Sequence, residues 1–200
     1  IKGPQPSQLR PTAIELRIMA GRRTEMKRFM RAQPKPERAI AFLLANVEDP
    51  VNVGSAFRVA DACKAEIVLA GITARPPHKL ISKVGRGKEN RVPWRAYDNV
   101  VQAIEAVQKD GWPVWAVEIT DDAQPYHRAH YPSRVCLMVG HEDHGVPKKA
   151  LQAADGAIFI PMYGKGASLN VHVALSVVAF QALHAESPSG DALESAPTLR

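Results

Sequence analysis

Five short apolar runs constrain the fold of this chain more than any other feature of its sequence. They fall at residues 39–44, 66–70, 113–117, 135–139 and 157–160, and helices are predicted between them at 53–63, 100–108 and 147–153. Strands that are apolar on both faces are typical of a parallel sheet with helices on each side. The sequence therefore predicts an α/β fold, with a mostly parallel sheet covered by helices on both faces.

The last apolar run leads into a segment with the features of a ligand site. Ile160 and Pro161 end the predicted strand, a loop with two glycines follows, and Asn170 precedes an apolar helix predicted over residues 171–183. Open α/β sheets bind small molecules outside the carboxyl ends of their strands. Asn170 can cap the helix with its side chain, while Ser168 and the glycines leave backbone groups free for a ligand. A capped connection that binds nothing would explain the same residues.

Charge is distributed unevenly along the chain, whose net charge is +6. Residues 1–39 contain ten Lys or Arg and three Asp or Glu, a net charge of +7. Residues 75–95 contain seven Lys or Arg and one Glu, a net charge of +6, and are expected to form a loop. A basic arm and a basic loop on an otherwise acidic body indicate binding to a polyanion. Solvated charged surfaces are the alternative, and no Trp-rich amphipathic face supports membrane binding.

The two ends of the chain differ from its centre. The arm is predicted to form a basic helix over residues 12–31, capped by Thr12 with Glu15 as the reciprocal partner, or interrupted near Gly21. A stiff Gln-Pro-Lys-Pro linker follows at residues 33–36. Ser, Pro, Gly and acidic residues predominate near the other end. We expect a basic helical extension at residues 1–38, an α/β domain at 39–185 and a disordered tail at 186–200.

The sequence also excludes several classes of protein. No apolar run is long enough to span a membrane, and Cys63 and Cys136 lie in apolar stretches, which indicates buried free thiols in a reducing cytoplasm. His141 and His144 are three residues apart between glycines, whereas helical zinc ligands are spaced by four, so no metal site is expected. A phosphate-binding loop, a dinucleotide fingerprint and a nucleophile elbow are absent, which argues against an NTPase, a nicotinamide enzyme and an acyl hydrolase.

Asn52 and Arg58 flank the start of the first apolar helix. Arg58 falls among apolar residues, where a charge is costly unless a specific partner awaits it. A structural salt bridge to Glu48, Asp49 or Glu142 is one account. The other is a guanidinium that contacts a phosphate or a reacting hydroxyl.

Three segments stand in the order and spacing of the three motifs of a known family. They are residues 46–61, with Asn52 and Arg58; residues 139–147, with Val-Gly-His-Glu at its start; and residues 160–171, with Ser168-Leu169-Asn170. The chain resembles the SpoU/TrmH family of SPOUT RNA 2′-O-ribose methyltransferases from about Ala39 to about Ala185. The resemblance implies a trefoil knot in the C-terminal part of a methyltransferase domain at 39–185. It also implies an obligate homodimer, with the helix from Val171 packed against the partner chain.

The resemblance assigns residues to the cofactor, to catalysis and, together with the charge pattern, to RNA. It implies that S-adenosylmethionine binds at Val117, Val139, Gly140, Ile160, Pro161, Met162, Ser168 and Leu169. It implies that Arg58 is catalytic, that Asn52 and Asn170 organise the site, and that Glu142 and Ser168 support it. The basic residues expected to contact RNA are Arg22, Arg23, Lys27 and Arg28 of the arm and Lys83, Arg86 and Lys88 of the second basic segment.

The implied reaction requires the protein mainly to position the ribose hydroxyl and to assist its deprotonation. The sulfonium methyl is already electrophilic, so the ribose hydroxyl must be held in line and lose its proton. Arginine stays protonated at ordinary pH, so Arg58 is expected to position the hydroxyl and stabilise the alkoxide, with an RNA phosphate as one candidate proton acceptor. A basic helix in place of the separate RNA-binding domain of larger relatives favours tRNA over rRNA. The alternative function is a non-catalytic RNA-binding module with the same fold.

Overall fold

The computed structural model describes residues 23–166 and 168–185, and divides the chain into two compact units, residues 1–35 and 36–200. In the first unit, helix α1 spans Arg23–Ala32 and exposes Lys27 and Arg28. The described part of the predicted basic helix is thus helical. Its predicted beginning, with Thr12, Glu15, Gly21 and Arg22, lies outside the described residues, as does the predicted tail.

The second unit contains one seven-stranded sheet in which every neighbouring pair of strands is parallel. The strands run in the order β3-β2-β1-β6-β4-β7-β5 across the sheet. Their bounds are Ala39–Ala45 (β1), Glu66–Ala70 (β2), Trp94–Tyr97 (β3), Val114–Val117 (β4), Gln124–Pro125 (β5), Arg134–Val139 (β6) and Gly156–Phe159 (β7). The predicted fold class is confirmed, while the trefoil knot stays a prediction.

Helices cover both faces of the sheet. They are α2 (Pro50–Cys63), α3 (Lys79–Gly85), α4 (Val100–Lys109), α5 (Lys148–Ala153) and α6 (Val171–His184), with a 3₁₀ turn at Lys88–Asn90. Phe42 of β1 packs in the core layer under α2 and α6, while the next residue, Leu43, packs in the layer under α4 and α5. Both residues are fully buried, which explains why β1 is apolar at every position. No helix in the described part of the chain could cross a membrane.

The basic segment at 75–95 is not a loop, as the sequence suggested, but holds α3, the 3₁₀ turn and β3. Two glycines let α3 pack close against α2: a Cβ atom at Gly54 would lie 2.9 Å from the carbonyl oxygen of Ile81. The short helix α3 was not predicted because its many Lys and Arg residues are typical of a loop. Strand β3 was not predicted because it is an exposed edge strand without a long apolar run. The two-residue strand β5 was also missed, whereas the other elements predicted in the second unit begin and end within three residues of their observed bounds.

Candidate active site

A cavity of about 490 Å³ opens at the carboxyl ends of β4, β6 and β7. This edge of an open α/β sheet is where ligands usually bind. The predicted cofactor residues that line the cavity are Val117, Val139, Gly140, Ile160, Met162, Ser168 and Leu169. Pro161 is the predicted cofactor residue that does not line it. The cavity wall also includes Glu118, His141, Glu142 and Val146 from the loops, and Val171 and Ala174 from α6.

The loop after β6 forms one wall of the cavity and closes as a tight hairpin. The backbones of His141 and Gly145 exchange two hydrogen bonds of 2.9 Å each, and Gly145 has a positive φ of 65°. A Cβ atom at Gly140 would lie 2.1 Å from the carbonyl carbon of Gly145. No side chain fits there, so Gly140 is required for the loop to fold back on itself.

Glu118 follows β4 directly and was not recognised from the sequence. Its Oε2 atom accepts a 3.0 Å hydrogen bond from the backbone N–H of Val146, and its Oε1 atom accepts one of 3.0 Å from the N–H of Ile119. The carboxylate therefore ties the end of β4 to the hairpin. A charged residue immediately after a buried strand was the sequence signal that could have identified it.

Glu142 links the hairpin to the start of α2. Its carboxylate accepts hydrogen bonds from the backbone N–H groups of Glu48 and Asp49, both at 3.2 Å, and from Nδ2 of Asn52 at 2.8 Å. Burial raises the pKa of Glu142, but the hydrogen bonds from Asn52 and from backbone N–H groups together outweigh it and hold the pKa below its usual value. Glu142 is therefore ionised at neutral pH.

Asn52 is buried and lies at the centre of the hydrogen-bond network. Its Oδ1 atom accepts from Nδ2 of Asn170 at 3.1 Å and lies 3.0 Å from Nδ1 of His172. Asn170 also caps α6, since its Oδ1 atom accepts from the backbone N–H of His172 at 3.0 Å. The structure thus brings together three predicted residues, Asn52, Glu142 and Asn170, and adds His172. Ser168 lines the cavity but forms no hydrogen bond with this group.

Arg58 is exposed on α2, contrary to the expectation that it needs a partner in an apolar setting. The helical period places Arg58 on the same outer face as Val51 and Ala62, while its apolar neighbours in sequence face the core. Among the described residues Arg58 has no ion-pair partner, so the salt bridge to Glu48, Asp49 or Glu142 is wrong. Arg58 does not line the cavity, and its side chain is accessible from solvent.

The predicted RNA-binding residues of the second basic segment differ in their surroundings. Lys83 and Arg86 are exposed at the end of α3. Lys88 instead lies 3.2 Å from Asp61 of α2, which also forms a 2.6 Å ion pair with Arg91. The hydrogen bond from Arg91, followed by that from Lys88, lowers the pKa of Asp61 despite partial burial. Lys88 therefore holds the 3₁₀ turn against α2.

The histidines of the hairpin have partners other than a metal. The rings of His141 and His144 stack with centroids 4.7 Å apart. Nδ1 of His141 accepts from the backbone N–H of Asp143 at 3.0 Å, and Nε2 lies 3.5 Å from Glu48. Within residues 23–166 and 168–185, no three His, Cys, Asp or Glu side chains are placed to hold a metal ion.

Known proteins share both the sequence and the architecture of this chain. The model of the SpoU rRNA Methylase family matches residues 39–180. The chain is 32% identical over 155 residues to 23S rRNA (guanosine-2′-O-)-methyltransferase RlmB of Ralstonia nicotianae, which covers 74% of this chain and 59% of that protein. It is 32% identical over 168 residues to tRNA (guanosine(18)-2′-O)-methyltransferase of Thermus thermophilus, which covers 83% of each.

A solved structure adds a likeness in three dimensions. The AdoMet-bound rRNA methyltransferase from Sinorhizobium meliloti superposes with a TM-score of 0.66 at 27% identity. The alignment covers 76% of this chain and 58% of that one. The chain therefore spans less than two thirds of this protein and of the Ralstonia relative.

Proposed function

Because the chain belongs to the SpoU rRNA Methylase family, as its three motifs indicated, we propose that it is an RNA methyltransferase. It transfers the methyl group of S-adenosylmethionine to a ribose 2′-OH of structured RNA. The observation that carries the proposal is the juxtaposition of two features at one sheet edge. The cavity is lined by the residues that the family motifs supply, and the network of Asn52, Glu142 and Asn170 adjoins it at Glu142.

The residues of the cavity fit S-adenosylmethionine. The volume of the cavity is within the range of small-molecule sites, and the side chains of Val117, Val139, Ile160 and Leu169 offer apolar contacts for the adenine ring. Backbone groups at the ends of β4, β6 and β7 can bond the polar edge of the base. When bound, the cofactor supplies an electrophilic methyl group on a sulfonium ion.

Exposed cations in both units are suited to RNA. Arg58 lies six residues from Asn52 on α2, about 9 Å along the helix axis at 1.5 Å per residue. No carboxylate of the described residues pairs with its guanidinium, so Arg58 can bind a phosphate and stabilise negative charge on the reacting oxygen. Lys83 and Arg86 extend the basic surface along α3, which packs against α2. Lys27 and Arg28 of α1 are also available to phosphates.

We favour tRNA as the substrate. Support comes from the Thermus tRNA enzyme, with which the similarity extends over 168 residues, compared with 155 for the Ralstonia rRNA enzyme. We further propose a cytoplasmic location, because Cys63 and Cys136 are buried free thiols. Burial raises the pKa of Cys63 to about 11, so the thiol is protonated and unreactive.

We also propose a homodimer that uses the outer face of α6. Val173, Val177 and Phe180 lie at successive turns of this helix and form an exposed apolar stripe, with Phe180 46% exposed. Val51 of α2, which packs beside α6, is exposed as well. Replacing Val177 with Asp should yield a monomer in analytical ultracentrifugation, whereas the same change at exposed Gln152 of α5 should leave a dimer. A monomeric unmodified protein would contradict this proposal.

Methyl transfer in a defined system tests the proposed function. The purified protein is incubated with S-adenosylmethionine labelled in its methyl group and with unmodified tRNA or rRNA, and the RNA is digested to nucleosides. We expect label in a 2′-O-methylnucleoside, and binding of S-adenosylhomocysteine by calorimetry without RNA. A protein that binds RNA but transfers no methyl group would be the non-catalytic RNA-binding module. Label on a base instead of the ribose would contradict the assigned reaction.

A further inference from the structure

We propose that His172 is the general base of the site, and that its Nε2 atom accepts the proton of the reacting ribose hydroxyl. The inference rests on the proposed function, because it names a group for the same methyl transfer. The motif residues gave no role to His172. It enters the site through its contacts with Asn52 and Asn170. It does not itself line the cavity, but Val171 and Ala174 of the same helix do.

Hydrogen-bond partners fix the orientation of both asparagine side chains. The ionised carboxylate of Glu142 can only accept, so the atom of Asn52 that faces it at 2.8 Å is the amide nitrogen. The backbone N–H of His172 can only donate, so the atom of Asn170 that faces it at 3.0 Å is the amide oxygen. The amide nitrogen of Asn170 then donates to Oδ1 of Asn52 at 3.1 Å.

The same partners assign the proton of the His172 ring. Nδ1 lies 3.0 Å from Oδ1 of Asn52, which can only accept, so Nδ1 carries the hydrogen. A neutral imidazole has one N–H, and its lone pair is therefore on Nε2. No residue in the described ranges forms a hydrogen bond to Nε2, so this lone pair is free for a substrate proton.

Burial keeps the ring neutral. It lowers the pKa of His172 below the ordinary value of 6.5, although the negative charge of Asp49 at the start of α2 acts in the opposite direction. The carboxylate of Glu142 lies on the far side of the Asn52 amide, which contacts both groups. Helix α6 has no further titratable side chain before His184.

Three other groups near the network are poor bases. Arg58 remains protonated at any ordinary pH. Glu142 accepts three hydrogen bonds and has a lowered pKa, which weakens its affinity for a proton. The Nδ1 lone pair of His141 already accepts from the backbone N–H of Asp143. Of the described side chains in the network, His172 alone combines a neutral state with an unoccupied basic lone pair.

The O–H bond of the ribose breaks, its proton moves to Nε2 of His172, and the oxygen keeps the electron pair. That pair forms the bond to the methyl carbon while the carbon–sulfur bond breaks and leaves its electrons on sulfur. The imidazolium keeps its Nδ1–H bond to Asn52, whose amide is polarised by Glu142, and it later releases the Nε2 proton to water.

Replacing His172 with Asn separates a base from a structural residue. The amide nitrogen of the new side chain can still donate to Oδ1 of Asn52, but it has no basic lone pair. We expect kcat to fall about 10²–10⁴-fold while cofactor affinity is unchanged. The wild-type rate should fall as pH drops through the pKa of His172, and this acidic limb should disappear in the variant. His184→Asn, in the last turn of the same helix, is the matched control and should behave as wild type.

Nitrogen NMR of the imidazole rings gives a readout that does not depend on activity. In the protein without cofactor or RNA, the His172 ring should show the Nδ1–H tautomer and titrate below pH 6.5. Asn52→Ala should remove this tautomer preference. Wild-type turnover in His172→Asn, or an Nε2–H tautomer, would overturn the assignment of the base while leaving the proposed function intact. A wild-type protein with the expected tautomer but no methyl transfer would overturn both.

Discussion

Removing the side chain of Asn52 tests the hydrogen-bond network that organises the site. In Asn52→Ala, the carboxylate of Glu142 loses the one side-chain donor that it has among the described residues, and Asn170 and His172 lose a shared acceptor. A hydrogen bond to a charged group contributes about 1.5–3 kcal/mol and a neutral one about 1 kcal/mol. Water can replace part of the loss, because Glu142 and His172 are only half-buried. We therefore expect the free energy of unfolding to fall by about 2–4 kcal/mol.

Urea unfolding and calorimetry measure this change. For a chain of this size, about 1 kcal/mol corresponds to roughly 2–4 °C in Tm, so the midpoint should fall by about 5–15 °C. Ser55→Ala is the matched control, since Ser55 lies one turn further along α2 and forms no side-chain hydrogen bond with the described residues. Its unfolding free energy should change by less than about 0.5 kcal/mol. Equal stability of Asn52→Ala and Ser55→Ala would refute the idea that the network holds α2, α6 and the hairpin together.

Three further predictions concern charge. Arg58→Ala should abolish methyl transfer with cofactor affinity and stability nearly unchanged, and Arg58→Lys should restore little, as kinetics and calorimetry can show. Folding lowers the pKa of Glu142, so the stability that its carboxylate contributes is complete above the ordinary pKa of 4.5 and is lost as the pH falls below it. The unfolding free energy of Glu142→Gln, measured across the acid range, should lack this dependence on pH. Neutralising the basic residues of the arm should weaken RNA binding and flatten its salt dependence in filter-binding assays. Turnover of Arg58→Ala above background would contradict the role of Arg58. An unchanged salt slope would contradict the role of the arm.

The sequence predicted the central strands and most helices because burial on both faces leaves a clear signal. Phe42 and Leu43 point to opposite layers and are both apolar, so β1 could be recognised without any alternation. Helix α3 could not be recognised, because its packing depends on close approach at Gly54 and Gly85 rather than on a long apolar face. Its exposed Lys and Arg residues gave the appearance of a loop.

The candidate site was predicted where its residues belong to the three motif segments, and missed elsewhere. Asn52, Glu142 and Asn170 lie in those segments, and the resemblance therefore identified them. Glu118, directly after β4, and His172, in the first turn of α6, lie outside the motif segments, and their roles depend on partners far away in the sequence. The burial expected for Arg58 was wrong because adjacent residues of a helix face directions about 100° apart.

Mapping ribose methylation across cellular RNA tests the central claim most directly. RNA is compared from cells that contain the gene, from cells that lack it, and from deleted cells supplied with the wild-type or the Arg58→Ala protein. We predict that deletion removes 2′-O-methylation from a defined nucleotide, in tRNA if the favoured substrate is correct. The wild-type protein should restore it and the Arg58→Ala protein should not. An unchanged methylation map after deletion, or full restoration by Arg58→Ala, would contradict the account.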